Sequence, residues 1–292
     1  MPTFRYLQLD VFPASPGGGN PLGVVIDAQA FSDDAMQRFA AWTNLVETTF
    51  LLPPDDGAAS YRLRIFTPTK EIPFAGHPSI GSAHAALDTD FAKARDGKLV
   101  QQCGAGLLPI RIEGDGAERE LFIQAPSAAD VSERAADRSA LEHALGGRPL
   151  GALPPALIEG GRRWWLAEFA DENAVRNWKP DHAVIGALAK TDDCLGLCVF
   201  ARCDHDDYQL VVRAFPAGVD IVEDPASGAA NGLIAAWIAM REPDGALARG
   251  YRVSQGREMG HDAAITIRFD ADRSVWVGGK TRTIKDIQLT WD

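Results

Sequence analysis

The sequence predicts an α+β fold of two pseudo-symmetric, barrel-like lobes, each a mostly antiparallel sheet around a central helix. The main observation is that the chain repeats itself. Residues 61–87 read as a strand, a short proline-containing loop and a helix of small residues, and residues 208–240 repeat this order. His77-Pro78 and Asp224-Pro225 stand at equivalent positions, 224 − 77 = 147 residues apart. Alternating strand pairs typical of hairpins follow each copy, so the duplication predicts two similar lobes.

The elements around the repeat follow the same order in both halves. The predicted strands lie at 48–52, 108–113 and 120–124 in the first half and at 195–200, 264–269 and 274–278 in the second. The two central helices, 79–87 and 227–240, are rich in Gly, Ala and Ser, which lets neighbouring backbone approach closely. Further helices are predicted at 33–45, with Ser32 as N-cap, and at 139–145, ending at Gly146-Gly147.

The lobes are predicted to span residues 1–125 and 126–292, with the active site in the cleft between them. The segment 125–155, rich in Ala and Pro, is the expected hinge. A return of the last strand to the first lobe is compatible with this division. A chain of this length is enough for two domains of ordinary size.

Composition argues against several classes of partner. The formal net charge of −11 disfavours nucleic acid and anionic membrane surfaces. No apolar run reaches the roughly 18 residues of a membrane span, and the N-terminus lacks the apolar core of a signal peptide. The four cysteines form no CxxC pair and have no histidine at zinc-ligand spacing. These features predict a cytoplasmic protein with reduced thiols and without a metal.

The repeated helix starts are the first candidate site. His77 and Asp224 each precede a proline that can occupy a first helical turn, and helix N-termini favour anions. Two such starts facing each other would suit a small carboxylate. The alternatives for the single residues are an ordinary helix cap at Asp224 and a hydrogen-bonded turn histidine at His77. The glycines of 17–23 lead from strand to strand, so a hairpin loop beside a pocket is favoured over a nucleotide loop.

Other polar residues allow two interpretations each. Glu47 precedes an apolar run, so it points inward from a strand end or lies on the surface. Glu71 and Glu223, each beside a repeated motif, are expected to be solvated or structural. Gln255-Gly256 forms a turn that either connects strands or lines the rim of the pocket.

Several motifs together resemble the PhzF family of phenazine-biosynthesis proteins. They are Glu47-Thr-Thr-Phe50, the stretch from Arg64 through Phe66-Thr-Pro68 to His77-Pro78, Glu223-Asp224-Pro225-Ala-Ser-Gly228, Gly19-Asn20-Pro21 and Gln255-Gly256-x-x-x-Gly260. The resemblance covers nearly the whole chain. It implies the diaminopimelate-epimerase-like fold, with two lobes that each enclose a helix.

The resemblance also implies an activity, the cofactor-free isomerisation of trans-2,3-dihydro-3-hydroxyanthranilate. In that reaction a glutamate, here Glu47, moves a proton between carbons, and His77 and Asp224 assist. The remaining expected contacts of a small anionic substrate are Asn20, Gly76, Ser79, Gly228, Ala229, Gln255 and Gly256. No metal and no other cofactor are expected.

Two departures put the phenazine substrate in question, and two other functions remain alternatives. Ala229 stands where phenazine enzymes tend to have a hydroxyl residue, and His261 stands where many members have arginine. A racemase or epimerase on the same fold would need a thiol at each helix start, which this chain lacks. A non-catalytic member that binds a small ligand or a protein is the other alternative.

The resemblance further suggests a homodimer, for which the apolar strand 164–166 would supply a contact patch unless it lies in the core. Light scattering that gives the monomer mass of 31.4 kDa would reject the dimer.

Overall fold

The computed structural model describes residues 3–135, 138–219 and 221–291. Contacts divide the chain into two compact units: unit 1 is Met1–Gln124 with Gly278–Asp292, and unit 2 is Ala125–Val277. The described residues form six α-helices and seventeen strands, joined by short 3₁₀ turns. Their share of strand and helix confirms the predicted α+β class.

Unit 1 is a mixed sheet with two helices. Its strands are β1 (Thr3–Val11), β2 (Asn20–Ile26), β3 (Glu47–Leu52), β4 (Tyr61–Phe66), β5 (Glu71–Ile72), β6 (Lys98–Cys103), β7 (Gly106–Glu113), β8 (Glu120–Gln124) and, from the chain's end, β17 (Thr281–Thr290). Its helices are α1 (Asp33–Thr43) and α2 (Gly76–Asp88). The strand β16 (Val275–Gly279) spans the boundary of the two units.

Unit 2 carries the remaining elements. Its strands are β9 (Ala129–Asp130), β10 (Ala156–Gly160), β11 (Arg162–Glu168), β12 (Gly196–Arg202), β13 (Leu210–Phe215), β14 (Tyr251–Gln255) and β15 (Ala263–Phe269). Its helices are α3 (Arg138–Leu145), α4 (Glu172–Arg176), α5 (His182–Thr191) and α6 (Gly228–Arg241).

The pairing pattern of unit 1 is repeated in unit 2. In unit 1, β1–β2 is antiparallel, β2–β3 parallel, β3–β4 antiparallel, β4–β6 parallel and β6–β7 antiparallel. In unit 2 the same alternation runs through β10, β11, β12, β13, β14 and β15. The duplication read from the sequence is therefore present in the sheet topology of the two units.

Helix α2 is enclosed by the sheet of its own unit. It contacts β1, β2, β3, β4, β6, β8 and β17, and its residues from His77 to Ala86 are buried. A methyl group on Gly81 would approach Leu22 to 2.5 Å and Val11 to 2.8 Å, so only glycine allows this spacing. Helix α6 is likewise mostly buried and packs against β10, β11 and β15.

Local sequence signals place several elements correctly. Ser32 caps α1, where its Oγ accepts a hydrogen bond from the N–H of Ala35 at 3.2 Å. Helix α3 ends where Gly146 and Gly147 adopt φ of 61° and 68°. The strands β7 and β8 form the predicted hairpin. The short helices α4 and α5 had no counterpart among the predicted elements.

The proposed contact patch 164–166 is wrong. Trp164, Trp165 and Leu166 lie in the middle of β11 and are at most 1% exposed. Trp165 belongs to the core cluster beneath α5, and its indole N–H donates to the carboxylate of Asp192 at 2.8 Å. Strand β11 is paired at both edges, Trp165 packs with Ile185 and Leu188 of α5, and α6 also contacts the strand, which the apolar run alone could not reveal.

Candidate active site

The start of helix α2 brings three of the predicted residues together in unit 1. His77 Nε2 lies 3.3 Å from Glu47 Oε2, and His77 Nδ1 lies 3.3 Å from Asn20 Nδ2. His77 is 6% exposed, Glu47 9% and Asn20 fully buried. A carboxyl group and an imidazole at this distance in a buried environment are close enough for a proton to pass between them once they align.

Glu47 and Asn20 are placed by neighbouring strands. Glu47 is the first residue of β3 and pairs in parallel register with Leu22 of β2, whose first residue is Asn20. Because β2 and β3 run in the same direction, both side chains stand at the same end of the sheet. Of the two interpretations for Glu47, the inward orientation is therefore the observed one.

The glycine loop before Asn20 is held by a carboxylate that the sequence did not single out. Asp10 accepts hydrogen bonds from the backbone N–H groups of Gly17 at 2.7 Å and Gly19 at 2.8 Å. A Cβ on Gly19 would lie 2.2 Å from the carbonyl oxygen of Val11, so no other residue fits there without displacement. This loop connects two strands, as expected, and it fixes Asn20 next to His77.

The electrostatics of His77 are dominated by its burial. Burial lowers the pKa of His77 from 6.5 to about 3, opposed by a hydrogen bond to the backbone of Pro21. The ring is therefore neutral near neutral pH, and a neutral imidazole can both donate and accept hydrogen bonds.

This burial predicts a pH dependence of stability. The unfolded chain protonates His77 near pH 6.5, whereas the folded chain does so only near pH 3. Between these values the unfolded state binds more protons, so the unfolding free energy should fall by up to about 1.4 kcal/mol per pH unit as the pH decreases. Above pH 6.5 this contribution is constant. Urea denaturation at several pH values measures the slope.

The matched variant is His77→Gln, which lacks the titrating ring. Its unfolding free energy should depend less on pH in this window than that of the wild type. Carboxylates whose pKa values the fold lowers from 4.5, such as Glu172 and Glu242, lose their contribution in the lower part of this window in both proteins, so the difference between the two slopes isolates His77. Equal slopes for the two proteins would contradict the assignment.

In unit 2 the predicted aspartate stands ahead of the helix rather than in its first turn. The backbone N–H of Asp224 donates to the carbonyl oxygen of Ala214 at 2.9 Å, and its Oδ1 accepts from the N–H of Ala226 at 3.1 Å. The N-cap of α6 is Ser227, whose Oγ accepts from the N–H of Ala230. The helix therefore begins within one residue of the predicted start at 227, and Pro225 lies ahead of the first turn that it was expected to be able to occupy.

The remaining expected substrate contacts have different surroundings. Gly76 is half-buried at the start of α2, while Gly228 and the exposed Ala229 open α6. Ser79 is fully buried, and its hydroxyl donates to the carbonyl oxygen of Ala75 at 2.8 Å.

Gln255 and Gly256 are also buried. The side chain of Gln255 is hydrogen-bonded inside unit 2. A Cβ on Gly256 would lie 2.7 Å from the carbonyl oxygen of Pro225, so the turn packs closely on the segment that carries Asp224.

Two arginine–glutamate pairs beside the motifs escaped the sequence analysis. Arg64 of β4 binds Glu71 through two parallel hydrogen bonds of 2.8 and 2.7 Å. Arg213 of β13 binds Glu223 in the same way at 2.9 Å for each bond. Of the two interpretations for these glutamates, the structural one is observed. An arginine in each repeated strand was the available signal.

The cysteines do not occupy the helix starts that a two-thiol racemase would need. Cys103 lies at the end of β6, Cys194 precedes β12, Cys198 lies within β12 and Cys203 follows it. Burial raises the pKa of Cys194 to about 11 and that of Cys203 to about 12. Thiols of this kind stay protonated and are poor bases at neutral pH.

Residues 3–135, 138–219 and 221–291 contain neither a metal-binding cluster nor a membrane-spanning helix. Within these ranges, no three His, Cys, Asp or Glu side chains are grouped so that they could hold a metal ion. Within the same ranges, no helix has the length and apolar character needed to span a membrane.

A family model decides the classification. The model described as PhzC-PhzF, phenazine biosynthesis-like protein, matches residues 9–286. This chain belongs to the PhzC-PhzF family. The resemblance read from the sequence motifs is thereby confirmed.

Individual proteins are similar to this chain over nearly their full length. Antisense-enhancing sequence 1 of Schizosaccharomyces pombe is 32% identical over 97% of this chain and 97% of its own. Trans-2,3-dihydro-3-hydroxyanthranilate isomerase of Pseudomonas aeruginosa is 32% identical over 91% of this chain and 90% of its own. The crystal structure of a PhzF-family phenazine biosynthesis protein from Bacillus anthracis is 25% identical, covers 99% of this chain and 100% of its own, and has a TM-score of 0.83. The last similarity confirms the predicted fold.

Proposed function

We propose that this protein is an isomerase that moves a proton between two atoms of a small anionic substrate, with Glu47 as acid and base. Relatives that carry the name isomerase support the reaction class. The observation that carries the proposal is the buried pair of Glu47 Oε2 and His77 Nε2 at 3.3 Å. A carboxyl group kept from bulk water beside a neutral imidazole suits proton transfer.

The proposed reaction needs one base that works twice. The Glu47 carboxylate takes a proton from a substrate carbon, and the electron pair left behind moves into the adjoining π system. The same carboxyl group then returns the proton to a second carbon, so no atom is gained or lost. His77 keeps Glu47 oriented and shares its proton. Asp224 is proposed to assist on the same substrate, as the family resemblance implies.

The substrate class follows from the relatives and from one departure. The Pseudomonas relative is named for trans-2,3-dihydro-3-hydroxyanthranilate, which is a small cyclic amino carboxylate. Ala229, at the exposed start of α6, supplies no hydroxyl hydrogen bond. We therefore propose a cyclic or amino carboxylate that resembles this compound but demands fewer hydrogen bonds at that position.

The test is direct incubation of the purified protein with trans-2,3-dihydro-3-hydroxyanthranilate, with chromatographic detection of the isomer. Isomer formation that persists after treatment with a chelator is the expected result. Calorimetric binding without turnover would favour the non-catalytic alternative. That alternative is kept open by the relative named Antisense-enhancing sequence 1, whose name states no isomerase activity.

A further inference from the structure

A glutamine in β6 is the centre of a buried hydrogen-bond chain in unit 1. Gln101 is fully buried, as are Tyr61 and Ser79 on either side of it. The hydroxyl of Tyr61 donates to Gln101 Oε1 at 3.2 Å, and Gln101 Nε2 donates to Ser79 Oγ at 3.0 Å. The hydroxyl of Ser79 then donates to the carbonyl oxygen of Ala75 at 2.8 Å. Each donor in this chain has one acceptor, so the direction of the bonds is fixed.

This chain of hydrogen bonds ends at Ala75, the residue ahead of the helix that carries His77. Ala75 is the N-cap position of α2 and has no side-chain oxygen with which to cap the helix. The bond from Ser79 therefore holds the backbone two residues before His77, in a turn that lacks the usual cap. The orientation of His77 towards Glu47 depends on this turn.

A glutamine in β14 also binds the backbone ahead of the central helix in unit 2. Gln255 is fully buried, and its Nε2 donates to the backbone carbonyl oxygen of Asp224 at 2.7 Å. Its Oε1 accepts from Asn231 Nδ2 at 2.8 Å and from the N–H of Ser227 at 3.4 Å. The amide thus ties the segment that carries Asp224 to the N-cap and the second turn of α6.

The two glutamines lie in equivalent strands of the duplicated fold, two register positions apart: their partners stand three residues before Arg64 and one residue before Arg213. Gln101 pairs in parallel register with Tyr61 of β4, and Gln255 pairs in parallel register with Val212 of β13. In each unit the glutamine lies beside the strand that leads into the loop before the central helix. The amides reach different atoms because they stand at different register positions and because the caps differ: Ser227 caps α6, whereas Ala75 cannot cap α2.

We propose that Gln101 and Gln255 are positioning residues on equivalent strands, each holding the backbone ahead of its unit's central helix and thereby the side chain of His77 or of Asp224. This differs from the sequence-based expectation that Gln255 contacts the substrate. Both lone pairs of its Oε1 and one proton of its Nε2 are already used within unit 2. The proposal rests on the proposed function only where it concerns turnover.

The test compares the two glutamines with matched neighbours. Gln101→Leu and Gln255→Leu remove the hydrogen bonds with little change in volume. Gln102→Leu and Gln209→Leu are the controls, because these amides accept hydrogen bonds from the backbone N–H groups of Asp55, in a loop, and of Arg252, in β14. Gln101→Glu and Gln255→Glu keep the shape, so they replace the leucine variants if those fail to fold.

Two local measurements report on the turns independently of activity. NMR titration of the imidazole, assigned with His77→Gln, should show that Gln101→Leu raises the pKa of His77 by about one unit or more as water enters. Hydrogen exchange at the N–H groups of Asp224 and Ser227 should become about tenfold faster or more in Gln255→Leu. The two controls should leave both readouts unchanged.

Turnover separates positioning from substrate contact. With trans-2,3-dihydro-3-hydroxyanthranilate as probe, Gln255→Leu should lower kcat about tenfold with KM within about twofold, since a lost substrate contact would instead raise KM. Wild-type titration and exchange in folded glutamine variants, or a KM effect alone, would overturn the proposal. If the local readouts change while Glu47→Gln stays fully active, positioning stands and the proposed function fails.

Discussion

Replacing Glu47 by glutamine is expected to lower kcat by about 10²-fold or more while the protein stays folded. Glutamine keeps the shape of the side chain beside His77, but it cannot take a proton from carbon. Because the change removes the base and little else, substrate affinity should stay nearly constant. Steady-state kinetics and direct binding measurements with trans-2,3-dihydro-3-hydroxyanthranilate, or with the true substrate once it is known, separate the two effects.

Three variants calibrate this result. His77→Gln and Asp224→Asn should cost less than Glu47→Gln, because these residues are proposed to orient and assist. Glu118→Gln is the matched control for the substitution itself, since this carboxylate is exposed and paired with Lys280 in the same unit. Full activity of Glu47→Gln would remove Glu47 from the mechanism, as would a loss of equal size in Glu118→Gln.

Replacing Arg213 by methionine should lower the free energy of unfolding by about 3–5 kcal/mol, because it leaves a buried carboxylate without its partner. The side chains of Arg213 and Glu223 are 6% and 9% exposed, and their guanidinium and carboxylate meet in two hydrogen bonds. Arg213 Nη1 also donates to the carbonyl oxygen of Trp178 at 2.7 Å, which would lose its donor. Urea denaturation measures the change.

The duplicated pair provides the matched comparison. Arg64→Met breaks the equivalent bond to Glu71, but the carboxylate there is 43% exposed and can be solvated. This variant should therefore cost about 1 kcal/mol or less. Adding Glu223→Gln to Arg213→Met should recover part of the lost stability, because no buried charge then remains. Equal losses at Arg64 and Arg213 would show that burial does not control the energy of these pairs.

The sequence was most informative where one residue decides a local structure. Ser32 correctly indicated the start of α1, and Gly146 and Gly147 indicated the end of α3, because helix caps and positive φ angles need particular residues. The repeated motifs revealed the duplication for the same reason. The helix predicted at 227–240 matches α6 within one residue, but the sequence could not decide whether Pro225 joins its first turn, because Pro225 and Ser227 are both acceptable near a helix start and only the hydrogen bond to Ala230 distinguishes them.

Long-range contacts were the part that could not be read from the chain. The approach of Glu47 to His77 joins residues that are distant in sequence, and motif resemblance was its only signal. A polar residue gives no sign of its partner. Gln101 and Gln102 are neighbours of the same type, yet only the strand register shows that Gln101 faces the interior and Gln102 the loop at Asp55. The roles of Asp10 and Arg213 were missed for this reason.

Strands β1 and β17, from opposite ends of the sequence, pair with each other, and this decides which unit can finish folding first during synthesis. Strand β1 pairs along its whole length with β17, from Thr3 opposite Thr290 to Val11 opposite Thr281. A ribosome makes β1 first and β17 last, so β1 must wait for nearly the entire chain before one of its edges is covered. All of unit 2, which is contiguous from Ala125 to Val277, is synthesised before the last segment of the unit 1 sheet is made. The lobe that begins the chain is therefore the last to be finished.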